Sequence, residues 1–296
     1  MASTKTVHVP HLGGTDAGYQ MPYPYDPEKP TLILVNSFTT SSDLYKGQYA
    51  NKALTDTMNL LAIEPLGHGK TRTKSEHFTY WDTAIMNLQV MDALGVRSAF
   101  VLGTSQGGWI TTRMALLAPE KIQGIVPLGT SMDYESARTR ELGCWDGVAA
   151  CTEPINSWTT PTSTPTFEPD DDFCTFLIDV GFGRDCPSSV RDTWTKTIKA
   201  NYQGDDGRRR ARMAAINLRD RDGLHGRLCD VKCPVMWLHG TSDAVYSVAN
   251  AQQEIEMFTG SPSAELVIVE GGQHFLSASH PEEVDRALID FVSKWA

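Results

Sequence analysis

Six short apolar runs punctuate the chain: Leu32–Val35, Leu60–Ile63, Phe100–Leu102, Ile125–Leu128, Val235–Leu238 and Leu266–Val269. Each is flanked by turn residues and is too uniformly apolar to keep a solvated face. Strands of a parallel sheet covered on both sides read this way. Between the runs the pattern changes to helical stripes. Over 83–95, Ile85, Leu88, Met91 and Leu94 recur at helical intervals, and Gly95 supplies a stop. Near the C-terminus, Pro281 and Glu282-Glu283 open a helix whose Val284, Leu288, Phe291 and Trp295 form one stripe. The alternation predicts an α/β fold, a mostly parallel central sheet with helices on both faces, joined by right-handed crossovers.

The alternation stops near Asp133 and resumes near Cys233. We therefore expect a core built from 1–132 and 233–296, and a helical cap insertion over 133–232. A long insertion between core strands makes a lid over the strand ends, where open α/β sheets bind ligands. Charge within this insertion is polarised. Residues 133–192 carry 4 basic and 12 acidic side chains, and residues 193–227 carry 9 basic and 4 acidic. Asp170-Asp171-Asp172 and Arg208-Arg209-Arg210 are the extremes, expected to be solvated faces that attract one another. Several of Trp145, Trp158, Trp194, Phe167, Phe173, Phe176 and Phe182 are expected to close over the strand ends around an enclosed apolar pocket. The remainder would form the cap's own core.

Composition narrows the class. The chain has 296 residues, 41% hydrophobic and 21% charged, which are globular proportions and enough length for a core without staples. A formal net charge of −10 argues against a broad phosphate-binding surface, so no nucleic-acid partner is expected. No run is apolar and long enough to span a membrane, and Met1–His8 lacks the apolar stretch of a secretory signal. The expectation is a soluble, cytoplasmic protein with no membrane partner. The six cysteines form no Cys-x-x-Cys pair, and no histidine stands at zinc-site spacing from them, so no metal is expected. Free thiols are the simplest reading, with a local disulfide within 144–186 left open.

The chemistry concentrates in Gly103-Thr104-Ser105-Gln106-Gly107, directly after the run ending at Leu102 and before the helical stretch 108–117. A serine hydroxyl is a weak nucleophile unless it is presented to a base. A tight strand-to-helix turn does that by holding the serine in a strained conformation, which glycines two residues to either side make sterically tolerable. The helix N-terminus that follows adds N–H groups suited to an oxyanion. An acid and then a histidine should follow in the chain. Val235-Met-Trp-Leu-His-Gly-Thr-Ser-Asp243 and Glu265-Leu-Val-Ile-Val-Glu-Gly-Gly-Gln-His274 supply them, each at the C-terminal end of an apolar run. In a parallel sheet both ends lie on the rim of Ser105. Asp133, after the run Ile125–Leu128, is a rival acid on the same rim. His68 reads as a loop histidine, His239 as a packed group beneath Asp243, and Trp109 as core.

With these residues in view, the chain resembles an α/β-hydrolase-fold serine hydrolase of the capped esterase, lactonase and haloperoxidase-like group. The supporting segments also include Leu32–Ser42, Ala62–Gly69 and Gly271–Phe275. The resemblance implies Ser105 as nucleophile, His274 as base, Asp243 as its orienting acid, and the backbone N–H groups of Phe38 and Gln106 as oxyanion hole. One departure is Asn36-Ser37, where the family commonly has His-Gly. The loss of that glycine restricts the backbone near Phe38, and the Asn36 amide or the Ser37 hydroxyl could serve as a donor or as a loop tie. The implied activity is cofactor-free hydrolysis of an ester or lactone through an acyl-enzyme, and the expected enclosed pocket suits a small-to-medium substrate such as a metabolite or a polyketide-like compound. Acyl transfer, thioester, amide or C–C cleavage, and a small-molecule receptor role remain open on the same residues, as does a homodimer.

Overall fold

The structure, a computed structural model, describes residues 3–296. The strands are β1 (Lys5–Val9), β2 (Thr15–Gln20), β3 (Thr31–Val35), β4 (Asn59–Ile63), β5 (Arg72–Thr73), β6 (Ala99–Thr104), β7 (Ile122–Leu128), β8 (Val235–Gly240) and β9 (Ala264–Val269). They form one sheet in the order β1-β2-β4-β3-β6-β7-β8-β9, with β5 beside β2. Every pairing from β4 through β9 is parallel, while β1 and β2 join antiparallel.

All six predicted runs are strands. The hairpin β1–β2 has no such run, because an edge hairpin with one open face carries polar residues such as His8 and Asp16. Strand β9 departs from the two-sided burial expected of it. It is the far edge of the sheet, and Glu265 and Ile268 are exposed.

Successive residues of a strand face opposite sides, and the two cores follow that rule. Ile33 and Val35 point to the side covered by α3 (Tyr80–Ala93), α4 (Gln106–Leu117) and α10 (Val248–Ile255). Leu32 and Leu34 point to the side covered by α1 (Lys46–Ala50), α2 (Lys52–Thr57), α11 (Leu276–Ser279) and α12 (Pro281–Trp295). Helix α3 begins earlier than its apolar stripe because Thr79 and Asp82 form a reciprocal capping box.

Between β7 and β8 the chain is helical: α5 (Ala137–Glu141), α6 (Gly147–Ser157), α7 (Asp171–Phe182), α8 (Ser188–Asn201) and α9 (Gly204–Arg219). Helix α6 packs on α9, and α7 packs on α8. The acidic and basic stretches are joined by ion pairs, Lys199 with Glu168 and Arg221 with Glu135 among them, but their two extremes do not meet each other. Arg209 and Arg210 bond Asp206 on their own helix, and Asp171 pairs with Lys199. Arg209 and Arg210 find Asp206 one helical turn away, where neighbouring side chains share a face. A buried pair clasps the two ends of this segment: Arg221 lies 2.7 Å from Glu135, with the side chains 2% and 4% exposed. The six cysteines are free thiols.

Candidate active site

Ser105 stands between β6 and α4 at φ 55° and ψ −118°, a left-handed conformation rare for serine and worth about 1–3 kcal/mol of strain. The surroundings enforce it. Ser105 N–H donates to Leu128 O at 2.9 Å, and Thr130 Oγ1 donates to Ser105 O at 2.7 Å. A side chain on Gly103 would run into Gly107 and Thr111, and one on Gly107 into the Val35 carbonyl. The two glycines therefore let the turn close.

Asp243 follows β8 and His274 follows β9. Both oxygens of Asp243 lie 3.0 Å from His274 Nδ1, and Oδ1 also accepts from Val245 N–H at 2.8 Å and Tyr246 N–H at 3.0 Å. Burial pushes the Asp243 carboxyl up. Attraction to the His274 ring beside it, the hydrogen bond to that ring, the nearby His239 and the Tyr246 N–H outweigh it and hold the group below its ordinary range. Nδ1–H is thereby committed to the carboxylate, so Nε2 keeps its lone pair. Among the described residues, Nε2 has no hydrogen-bond partner.

Ser105 and His274 line one cavity with Ser37 and Phe38. Its remaining walls are apolar, with Trp145, Phe176, Val180 and Leu218 from the segment between β7 and β8, and Val245 and Phe275 from the sheet's rim loops. Its volume is only about 30 Å³. Of the seven aromatics expected over the strand ends, Trp145 and Phe176 line this space. Trp158 instead packs edge-to-face with Phe167 and Phe173, and Trp194 lies tilted against Phe182.

The backbone N–H groups of Phe38 and Gln106 have no protein acceptor among the described residues. The Asn36 amide ties the loop, donating to Ser37 O at 3.1 Å and Thr40 O at 3.0 Å, while Ser37 faces the cavity. The Gln106 side chain is itself anchored. Tyr80 Oη donates to Oε1 at 3.2 Å, and Nε2 lies 3.0 Å from His68 Nε2. His68 Nδ1–H donates to Leu66 O at 3.0 Å, so its Nε2 is the acceptor for Gln106. Burial lowers the His68 pKa to about 4, which keeps it neutral for that task.

The rival residues lie elsewhere. Asp133 accepts from Ser136 Oγ at 2.7 Å and Tyr134 N–H at 2.9 Å, organising the start of α5. His239 is fully buried, donates from Nε2 to Tyr246 O at 2.9 Å and lies 3.7 Å from Asp243. Trp109 is fully buried and donates to Asp133 O at 3.1 Å. Sequence reasoning missed Val245, Val180 and Leu218 as cavity walls, and the Tyr80–Gln106–His68 link. Residues that are merely apolar or polar carry no local signature of such neighbours.

The loop after β3, the turn between β6 and α4, and the loops after β8 and β9 thus bring a strained serine, a carboxylate-held imidazole and two N–H groups without a protein acceptor among the described residues to one rim. No group of three or more His, Cys, Asp or Glu able to hold a metal occurs among the described residues. No helix among them is long and apolar enough to cross a membrane.

Known proteins share this architecture. The protein from Stutzerimonas stutzeri (strain A1501) named "Putative carbamate hydrolase RutD" is 28% identical over 123 residues, spanning 40% of this chain and 46% of that protein. The chain therefore matches less than half the length of that curated relative. A hydrolase from Pseudomonas aeruginosa PA01 superposes with a TM-score of 0.77 at 22% identity, over 97% of this chain and 98% of the other. The enol-lactonase of Burkholderia xenovorans LB400 gives 0.73 at 18% identity, over 97% and 100%. At these identities the likeness of the two solved structures is one of fold. Residues 30–281, most of the chain, match the family described as the alpha/beta hydrolase fold, and the protein belongs to that family.

Proposed function

We propose that the protein is a serine hydrolase that cleaves an ester or lactone of a small-to-medium metabolite through an acyl-enzyme. The observation that carries this reading is the strained Ser105, which shares one cavity with a His274 whose Nδ1 is held by Asp243. Residues 133–232 act as a cap over that cavity. Ser105 Oγ attacks the substrate carbonyl carbon as His274 Nε2 takes its proton. The negative charge that develops on the carbonyl oxygen falls to the N–H groups of Phe38 and Gln106, each worth about 2.7–4 kcal/mol of barrier. Collapse breaks the bond to the leaving oxygen, which receives the proton from His274. Water then repeats the sequence on the acyl-serine, releasing the acid and restoring Ser105. Asp243 stabilises the imidazolium in both halves.

A second reading, carbamate cleavage by the same residues, draws support from the printed name of the curated relative. The deciding experiment is a panel of p-nitrophenyl esters, lactones, thioesters and carbamates run with wild type and Ser105→Ala. Ester or lactone turnover that vanishes in the variant supports the proposal. Turnover confined to carbamates favours the second reading, and tight reversible binding without product means a receptor.

A further inference from the structure

The cavity at Ser105 has room for about one water, whereas sites for small organic ligands hold about 300–1,000 Å³. Substrate must therefore use space outside it. A surface groove of about 420 Å³ lies between α6 and α7. Ala150, Glu153, Pro154 and Ser157 wall it from one helix, at i, i+3, i+4 and i+7, and Phe173 and Phe176 wall it from the other. Because α6 packs on α9 and α7 on α8, the groove is the seam between two helix pairs.

Among the described residues, Phe176 alone lines both the groove and the Ser105 cavity. The residue is also 41% exposed, unusual for a phenylalanine that reaches an interior site. The backbone around it is held. Phe275 N–H donates to Gly181 O at 2.8 Å, and the Phe182 ring packs on Phe275 with centroids 5.0 Å apart. Pinned at that end, α7 leaves the Phe176 side chain as the movable part of the wall. Exposed side chains change rotamer on the picosecond-to-nanosecond scale, far faster than turnover.

We propose that Phe176 is a size-selecting gate: substrate approaches along the α6–α7 groove, and the side chain at position 176 sets how bulky a group reaches Ser105. This rests on the serine-hydrolase reading above. Swinging the ring toward the groove joins the two spaces, and the larger volume falls within the range a metabolite needs.

The test is the rate at which Ser105 of the full-length protein is labelled by two fluorophosphonates, one with short ethyl groups and one with a bulky aromatic ester. Wild type is compared with Phe176→Ala, Phe176→Leu and Phe176→Trp, the exposed position making all three tolerable. The bulky-to-small rate ratio is expected to rise about ten-fold in Phe176→Ala, to rise less in Phe176→Leu, and to fall in Phe176→Trp. The same ratio in all four proteins overturns the gate while leaving the nucleophile in place. No labelling by either compound in any of them overturns the serine-hydrolase reading, and the gate with it.

Discussion

Asp243 meets His274 with both carboxylate oxygens, each 3.0 Å from Nδ1, while the other ring nitrogen has no partner among the described residues. That arrangement selects one tautomer and supplies a negative charge to balance an imidazolium. Asp243→Asn keeps the shape and removes both effects. Ester turnover is expected to fall about 10³- to 10⁴-fold. Asp133→Asn, whose parent carboxylate is occupied by Ser136 and Tyr134, should change kcat little. A crippled Asp133→Asn beside an active Asp243→Asn would move the acid to the earlier strand.

Ser105→Ala should abolish covalent labelling by a fluorophosphonate and lower turnover about 10³-fold or more, because nucleophile and base act as one unit. Intact-mass measurement of the labelled protein reads the first result directly. An adduct that persists in Ser105→Ala would place the nucleophile elsewhere.

His68 predicts an acid-side loss of stability. Its folded pKa of about 4 lies below the ordinary 6.5 because burial disfavours the charged ring. Above pH 6.5 both folded and unfolded states are neutral there and the group contributes nothing. Between 6.5 and 4 the unfolded chain binds a proton that the folded one refuses, so stability drops as pH falls. The loss totals about 3 kcal/mol once pH is below the folded value. Urea unfolding at pH 7.5 and 4.5 should therefore show a smaller pH dependence in His68→Gln than in wild type. Equal dependence in the two proteins would contradict a buried, neutral His68.

The Glu135–Arg221 pair is nearly inaccessible, and Arg221 also lies over the Trp109 ring, 4.1 Å from its centroid. Glu135→Ala leaves a guanidinium buried without its counter-charge and should cost about 3–5 kcal/mol of unfolding free energy. A denaturation midpoint within error of wild type would mean that the clasp does not hold the segment.

The α6–α7 groove is lined by Glu153, Asp170 and Asp172 and by no lysine or arginine. A neutral ester is therefore expected to give a higher kcat/KM than its carboxylate-bearing analogue of equal length. The difference should narrow in high salt and in the double variant Glu153→Gln, Asp172→Asn. A preference that salt leaves untouched would point to shape rather than charge.

The strands β3, β4 and β6 to β9 and the turn at Ser105 were legible in the chain itself, for a physical reason. A strand buried on both faces must be apolar throughout, and a strained serine between strand and helix needs glycine on both sides, so each leaves a local mark. That Asp243 and His274 would stand side by side was legible because strand ends of a parallel sheet share one rim. The β1–β2 hairpin and the exposed face of β9 were not, because edge strands carry mixed residues that resemble loops. Tertiary packing alone decided that Arg208 reaches Trp158 O and Thr164, and that His68 anchors the Gln106 side chain. It also decided that only Trp145 and Phe176 of the seven aromatics reach Ser105. Those outcomes depend on how helices from distant parts of the chain stack. That stacking is set by the summed burial of many side chains, and no single residue records it.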